Sequence, residues 1–181
     1  FIGLDDAGGL WEQLGGVGSS GEDVIIGMID GGVWPESLSF TDRTGTNGNA
    51  SKDGKLDYQQ IPGWHGKCTP GEEFNASHCN QKLIGAQFYN AGFGGNAGID
   101  AQIPYEFNSP RDFGGHGTHS SSTAGGNHNT PLTGDAADLL GTVSGIAPRA
   151  RISTYKVCWQ FPAGGSCAAS DSTAAIDQAV A

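Results

Sequence analysis

The chain has 181 residues, of which 31 are glycine, and its formal net charge is −10 at pH 7. Because only nine residues are Lys or Arg and they form no cluster, binding to nucleic acid or to an anionic membrane surface is disfavoured. The 36% hydrophobic content can supply a substantial core, whereas the glycine load indicates many turns and close backbone contacts rather than a helical bundle. The composition predicts one folded domain, or a large piece of one.

The first elements of the chain are predicted from its apolar pattern. A short helix is predicted over 9–16, and the continuous apolar run at 24–29 is typical of a strand that is buried on both faces, as in a parallel sheet. That run is strand-sized and much too short for a membrane-spanning helix. A turn-rich insertion follows over 41–80, and the composition of 91–112 predicts a loop.

The later elements continue the alternation of strand and helix. Strands are predicted over 82–90 and 150–158, one helix is predicted from about 116, and another over 170–181 with Ser170 or Asp171 as its N-cap. This alternation predicts an α/β fold with a mostly parallel sheet flanked by helices. The chain begins with Phe1, without a basic-then-apolar leader, and its last helix has no C-cap. We therefore expect a mature or trimmed product whose domain is unfinished.

The cysteines suggest an extracellular protein. They form two local pairs: Cys68 with Cys79, and Cys158 with Cys167. Such pairs are typical of disulfides in secreted proteins, although counting alone permits two other connectivities. Asn-x-Ser sequons at Asn49 and Asn75 fit the same compartment. We therefore expect a secreted, extracellular protein.

Two metal sites are weaker alternatives. His65, Cys68, His78 and Cys79 offer the two His and two Cys of a tetrahedral zinc site, but the adjacency of the last two makes a single centre awkward. A second group of candidate ligands lies among the glycines of the insertion: Asp42, Asp53 and Asp57. Their spacing is not that of a calcium-binding EF-hand, and a solvated loop is the preferred interpretation. We predict neither a metal nor a cofactor.

Asp30 and the histidines of HGTH are the candidates for chemistry. Asp30 ends the first predicted strand, where it can either cap the following turn or accept the Nδ1–H of an imidazole while staying ionised. His116 follows two glycines at a predicted helix start, where the helix dipole is expected to keep the ring neutral near pH 7. We expect His119 to be structural and to hydrogen-bond locally. A zinc site made by His116 and His119 is not expected, because the HExxH glutamate of zinc proteases is absent.

Two long segments resemble the Asp and His motifs of the subtilase family of serine proteases. They are VIIGMIDGGVWPES at 24–37 and SPRDFGGHGTHSSSTAGGN at 109–127. Further segments resemble the larger plant-type and pyrolysin-like secreted members, in the same order: FIGLDDAGGLW, WHGKCTPGEEFNASHCNQKLIGAQFYNAGF, GIAPRARISTYKVCW and STAAIDQAVA. The resemblance implies the N-terminal part of a subtilisin-like three-layer fold, polypeptide substrates, an N-terminal propeptide and a disulfide in the insertion.

The resemblance also implies roles for individual residues. Asp30 matches the aspartate and His116 the general base of an Asp-His-Ser triad, whose serine comes last in the chain. The implied mechanism is hydrolysis of peptide bonds through an acyl-enzyme. No nucleophile motif or oxyanion asparagine motif follows, and Ser120, Ser121 and Ser122 match neither. We therefore expect residues 1–181 to be a partial catalytic domain that is inactive alone. The alternative is a non-catalytic, secreted, subtilase-like binding module.

Overall fold

The structure is a mixed α/β fold built on a parallel sheet. It is a computed structural model that describes residues 2–42, 51–52, 55–56, 58, 63–64 and 66–181. The elements in chain order are α1 (Leu10–Gln13), β1 (Ile25–Asp30), β2 (Ser51–Lys52), β3 (Lys55–Leu56), β4 (Leu83–Phe88), α2 (Gly95–Gln102), α3 (His116–Gly125), β5 (Thr130–Pro131), α4 (Asp135–Leu140), β6 (Thr142–Val143), β7 (Arg151–Lys156), β8 (Cys158–Phe161), β9 (Gly164–Cys167) and α5 (Ala169–Val180).

The main sheet has the strand order β1-β7-β4, and both pairings are parallel. Successive residues of a strand face opposite sides of the sheet. Ile26 faces α3, because a Cβ on Gly125 of that helix would lie 3.0 Å from the Ile26 side chain. Gly27 faces α5, because a Cβ there would lie 3.7 Å from Ala179. The two helices therefore cover opposite faces, which gives the layers helix, sheet and helix.

The predicted α/β class with a mostly parallel sheet is confirmed, but the burial of the strands differs from expectation. The six residues of β7 are all buried, whereas β1 is half-buried and Gly27 within it is exposed. In the part of the chain that the structure describes, β7 is the central strand and β1 lies at an edge of the sheet. An apolar run thus gives a strand, while its position in the sheet decides how far it is buried.

Two local predictions are wrong. The stretch 91–112, expected as a loop, contains α2, which is anchored by the buried Ile99 despite its glycines. The N-cap of α5 is Ala168, two residues before Ser170 and three before Asp171, the expected caps. Asp171 instead lies in the first turn, where its Oδ1 accepts a hydrogen bond from the backbone N–H of Gly92 at 2.9 Å. In both helices, contacts with distant parts of the chain outweigh the local sequence signal.

Both predicted disulfides are present in the structure. They join Cys68 with Cys79 and Cys158 with Cys167. The first lies in the insertion, where Cys68 bridges to β4 through Ala86. The second joins directly opposed residues of the β8–β9 hairpin. Of the helices in the described ranges, none has both the length and the apolar composition that a bilayer-spanning segment needs.

Candidate active site

Asp30 and His116 meet at the carboxyl end of the parallel sheet. Asp30 is the last residue of β1, and His116 is the first residue of α3, as the sequence predicts. The Nδ1 atom of His116 lies 2.9 Å from both Oδ1 and Oδ2 of Asp30. The backbone N–H of Gly31 also donates to Oδ1, at 2.6 Å. One carboxylate therefore holds the imidazole and is itself held by the turn that follows it.

Two glycines allow these segments to approach each other. Gly32 has a φ of 102°, and a Cβ there would lie 2.3 Å from the carbonyl oxygen of Pro110. A Cβ on Gly117 would lie 2.2 Å from the carbonyl oxygen of Gly32. Because real side chains do not fit at such distances, only glycine at both positions lets α3 begin directly above the end of β1.

The pKa of His116 is shifted in the direction opposite to the expected one. The hydrogen bond to Asp30 raises the pKa of His116 above its ordinary 6.5, and the charges of Asp30 and Asp112 act in the same direction. The helix dipole was expected to favour the neutral ring, but it is outweighed by a carboxylate in direct contact. The pair therefore stabilises the imidazolium, the species that forms when the ring accepts a proton.

The serine hydroxyls and the second histidine of α3 do not contact Nε2 of His116, the ring nitrogen that points away from Asp30. Ser120 Oγ lies 3.5 Å from Nδ1 of His116, which is the ring nitrogen that faces Asp30. Ser122 donates to the carbonyl of His119, and Ser121 is buried. His119 bonds locally through its backbone, whereas its exposed ring has no hydrogen bond to a described residue. Within the described ranges, no group lies within hydrogen-bond distance of Nε2 of His116.

A cavity of about 360 Å³ opens beside the pair. Asp30 and His116 line one part of it, and the β8–β9 hairpin lines another with Gln160 and Gly165. The hairpin lies close to the turn before α3, because a Cβ on Gly114 would be 2.9 Å from the side-chain oxygen of Gln160. This hairpin was not predicted from the sequence, since its second strand, Gly164–Cys167, carries no alternating apolar pattern.

A buried ion pair next to the cavity connects the segments that form the site. Lys156 Nζ lies 2.7 Å from Oε2 of Glu106 and donates to the carbonyl oxygen of Arg111 at 2.8 Å. Burial lowers the pKa of Lys156, and the charge of Glu106 opposes that shift. The other oxygen of Glu106 accepts the backbone N–H of Gln160 at 2.8 Å. The pair thus joins β7, the hairpin and the segment before α3, and no local signal in the sequence announces it.

The proposed metal ligands of the insertion are used differently. Cys68 and Cys79 share a disulfide, so neither sulfur is free for zinc, and His78 accepts a hydrogen bond from the backbone of Asn75 through Nδ1. His65 lies outside the described residues, as do Asp53 and Asp57 of the calcium alternative. Asp42 is buried and accepts the backbone N–H of Gln81 at 3.0 Å. The zinc interpretation of the cysteines is therefore wrong.

Comparison with known proteins identifies the family. The model of the subtilase family, Peptidase_S8, matches residues 21–181. The chain belongs to the subtilase family. It is 44% identical to subtilisin-like protease SBT1.7 of Arabidopsis thaliana over 186 residues, and 42% identical to subtilisin-like protease SBT3 of Solanum lycopersicum over 182 residues. Each match covers 100% of this chain and 21% of the relative.

Two consequences follow from membership of the subtilase family. The resemblance inferred from the sequence motifs is confirmed, and both Asp30 and His116 lie within the matched range. The chain also spans about a fifth of the length of these curated subtilases. The activity of a whole subtilase is therefore a proposal for this chain.

Proposed function

We propose that this chain is the Asp- and His-bearing part of a subtilisin-like serine endopeptidase. The observation that carries the proposal is the contact of both Asp30 carboxylate oxygens with Nδ1 of His116. A carboxylate on Nδ1 fixes the imidazole tautomer that leaves Nε2 able to accept a proton. Asp30 is the orienting residue in this proposal, and His116 is the general base.

The chemistry proposed is acyl transfer to a serine and then to water. His116 Nε2 takes the proton of a serine hydroxyl, and the serine oxygen attacks the carbonyl carbon of the peptide bond. The imidazolium, stabilised by Asp30, then gives this proton to the leaving amine. We propose that the serine and the oxyanion donor belong to residues outside 1–181, a proposal supported by the coverage of only 21% of the relative's length.

The same proposal covers substrate and compartment. We infer that the substrates are polypeptides, that a propeptide precedes the chain, and that the protein is secreted. Two disulfides within the described residues and an exposed sequon at Asn75 support the extracellular compartment.

A covalent serine probe tests this function. The gene product, with all its flanking sequence, would be secreted from a eukaryotic host and treated with a fluorophosphonate. We expect one serine outside residues 1–181 to be labelled, and we expect His116→Ala to abolish the labelling while His119→Ala retains it. Absence of labelling in a folded wild-type protein would contradict a serine protease and favour the non-catalytic binding module.

A further inference from the structure

Asp112 is a buried carboxylate that holds the backbone on both sides of His116. The residue is 2% exposed. Its Oδ1 accepts a hydrogen bond from the backbone N–H of Gly115 at 2.9 Å. Its Oδ2 accepts two hydrogen bonds from Thr118, one from the backbone N–H at 2.8 Å and one from the hydroxyl at 2.6 Å. The residue before His116 and the second residue after it are therefore tied to one side chain.

The same residue is also tied to the segment that follows Asp30. The backbone N–H of Asp112 donates to the carbonyl oxygen of Val33 at 3.1 Å. The hydroxyl of Thr118, which donates to Asp112, accepts the backbone N–H of Trp34 at 2.9 Å. Val33 and Trp34 follow Asp30 by three and four positions. Asp112 thus connects the backbone next to both members of the Asp30–His116 pair.

The start of α3 needs such a partner. Its N-cap residue is Gly115, with a φ of 82° and no side chain to accept the N–H groups of the first turn. These groups have no acceptor within the helix. Asp112 accepts one of them, from Thr118, and fixes Gly115 in its left-handed conformation. Without the carboxylate, the first turn would fray, and His116 lies in that turn.

We propose that Asp112 is a positioning residue, which sets the His116 ring on Asp30 by fixing the first turn of α3. The inference rests on the proposed protease function and extends it to a residue that needs no contact with substrate. A misplacement of the base by a fraction of its hydrogen-bond length weakens every proton transfer that depends on it.

Three variants of the full-length protein test the positioning role. Asp112→Asn keeps the size of the side chain but turns one acceptor into a donor that faces N–H groups. Thr118→Val removes the hydroxyl and leaves the backbone. The matched control is Asp171→Asn, because Asp171 is also 2% exposed and also accepts a glycine N–H, that of Gly92, at the opposite helix layer.

The measurements are kcat and KM on a peptide substrate, and the pKa of His116 from histidine C2-hydrogen exchange followed by mass spectrometry. The charged groups that face His116 are Asp30 from β1 and Asp112 from the preceding loop, while Glu106, paired with Lys156, lines the same cavity.

For Asp112→Asn we expect kcat to fall roughly 10- to 100-fold with little change in KM. The pKa of His116 should fall towards 6.5, in part because the charge of Asp112 is lost. The uncharged change Thr118→Val therefore separates the positioning effect from the charge effect.

The two other variants complete the expected pattern. Thr118→Val should change kcat and the pKa of His116 in the same direction as Asp112→Asn and by less. Asp171→Asn should leave both at wild-type values even if it lowers the unfolding temperature. A variant that only destabilised the fold would not change the pKa of His116.

Other results would refute either the positioning role or the proposed function. If Thr118→Val keeps the wild-type kcat and the wild-type pKa of His116, the positioning role is refuted, even where Asp112→Asn lowers the pKa through its lost charge. If Asp112→Asn does not fold, Thr118→Val decides by the same criteria. If the wild-type protein has no peptidase activity, the proposed function fails, and the pKa of His116 in the same variants still tests the positioning.

Discussion

Both carboxylate oxygens of Asp30 lie 2.9 Å from Nδ1 of His116, although 86 positions separate the residues in sequence. The contact arises because β1 ends where α3 begins, and because Gly32 and Gly117 let the two backbones approach. The side chain of Asp30 is only 12% exposed while that of His116 is 81% exposed. A shielded carboxylate therefore holds an imidazole that solvent can reach.

The raised pKa of His116 predicts the pH dependence of peptide hydrolysis. The ring must be neutral to act as a base, so kcat/KM should fall as pH decreases through a midpoint above 6.5. The Asp30→Asn variant should move that midpoint to lower pH, because the hydrogen bond to a carboxylate is the largest cause of the shift. A midpoint at or below 6.5 in the wild-type protein would contradict this account.

The same shift makes a small contribution to stability, with a defined sign. Because the folded pKa of His116 is higher than the unfolded value, the folded protein binds the proton more tightly. The contribution is fully present below pH 6.5 and is lost as pH rises through the folded pKa. Urea unfolding of wild type and Asp30→Asn across this window should show the difference between them shrinking as pH increases. A difference that grew with pH would have the wrong sign.

Gly32 should not tolerate a side chain. We expect Gly32→Ala to lower the free energy of unfolding by at least about 2 kcal/mol, because φ is positive and the new Cβ would meet Pro110. Gly18→Ala is the matched control, since a Cβ there meets nothing within 4 Å. Denaturant titration compares the two. Equal stability of the two variants would refute the close approach of the Asp30 turn to the loop before α3.

The disulfide between Cys68 and Cys79 should stabilise the backbone that leads to His116. Its loop contacts that segment, since the side chain of Arg111 donates through Nε to the carbonyl oxygen of Glu73 at 2.7 Å and the backbone N–H of Glu72 donates to the carbonyl oxygen of Asn108 at 3.4 Å. Replacing both cysteines by alanine should lower the free energy of unfolding by about 2 to 3 kcal/mol, given the sequence separation of 11.

Denaturant titration of the double variant, compared with wild type under oxidising conditions, measures this loss. Hydrogen exchange should show less protection of the backbone amide of Asn108, which donates to Oε2 of Glu72 at 2.7 Å. An unchanged unfolding midpoint would mean that the loop is held by its other contacts.

Asn75 should carry a glycan in the secreted protein. Asn75 and Ser77 are both exposed, and the side-chain oxygen of Asn75 accepts the backbone N–H of Ser77 at 3.0 Å. No described residue accepts a hydrogen bond from Nδ2 of Asn75, so the amide nitrogen faces solvent. Peptide N-glycosidase should convert Asn75 to Asp, as detected by mass spectrometry. Ser77→Ala should abolish the conversion, and an unmodified Asn75 in secreted wild type would contradict the prediction.

Periodic and motif-bearing parts of the fold were predictable from the sequence. The strands β1, β4 and β7, the start of α3 at His116 and both disulfides follow from local patterns, namely apolar runs, glycine pairs and cysteine spacing. The Asp30–His116 pair could be predicted because both residues lie at the ends of predicted elements, and such ends meet at one edge of a parallel sheet.

The remaining features depend on contacts that no local pattern records. Ile99 stabilises α2 through burial, against the helix propensity of its glycines. The Lys156–Glu106 pair forms between residues 50 positions apart, with no motif at either. The contacts of Asp112 could have been predicted, because an acidic residue shortly before a helix start often accepts the N–H groups of the first turn. The pKa of His116 was predicted in the wrong direction because the helix dipole was considered and the carboxylate contact outweighs it.

The most direct test of the central claim is the turnover of a peptide by full-length protein with either histidine of α3 replaced. His116→Ala should lower kcat by roughly 10⁴-fold or more, because the general base is lost. His119→Ala, a change of the same kind three residues away, should remain within about 3-fold of wild type. Near-wild-type turnover by His116→Ala, in a sample freed of contaminating protease, would contradict the assignment of His116 as the base.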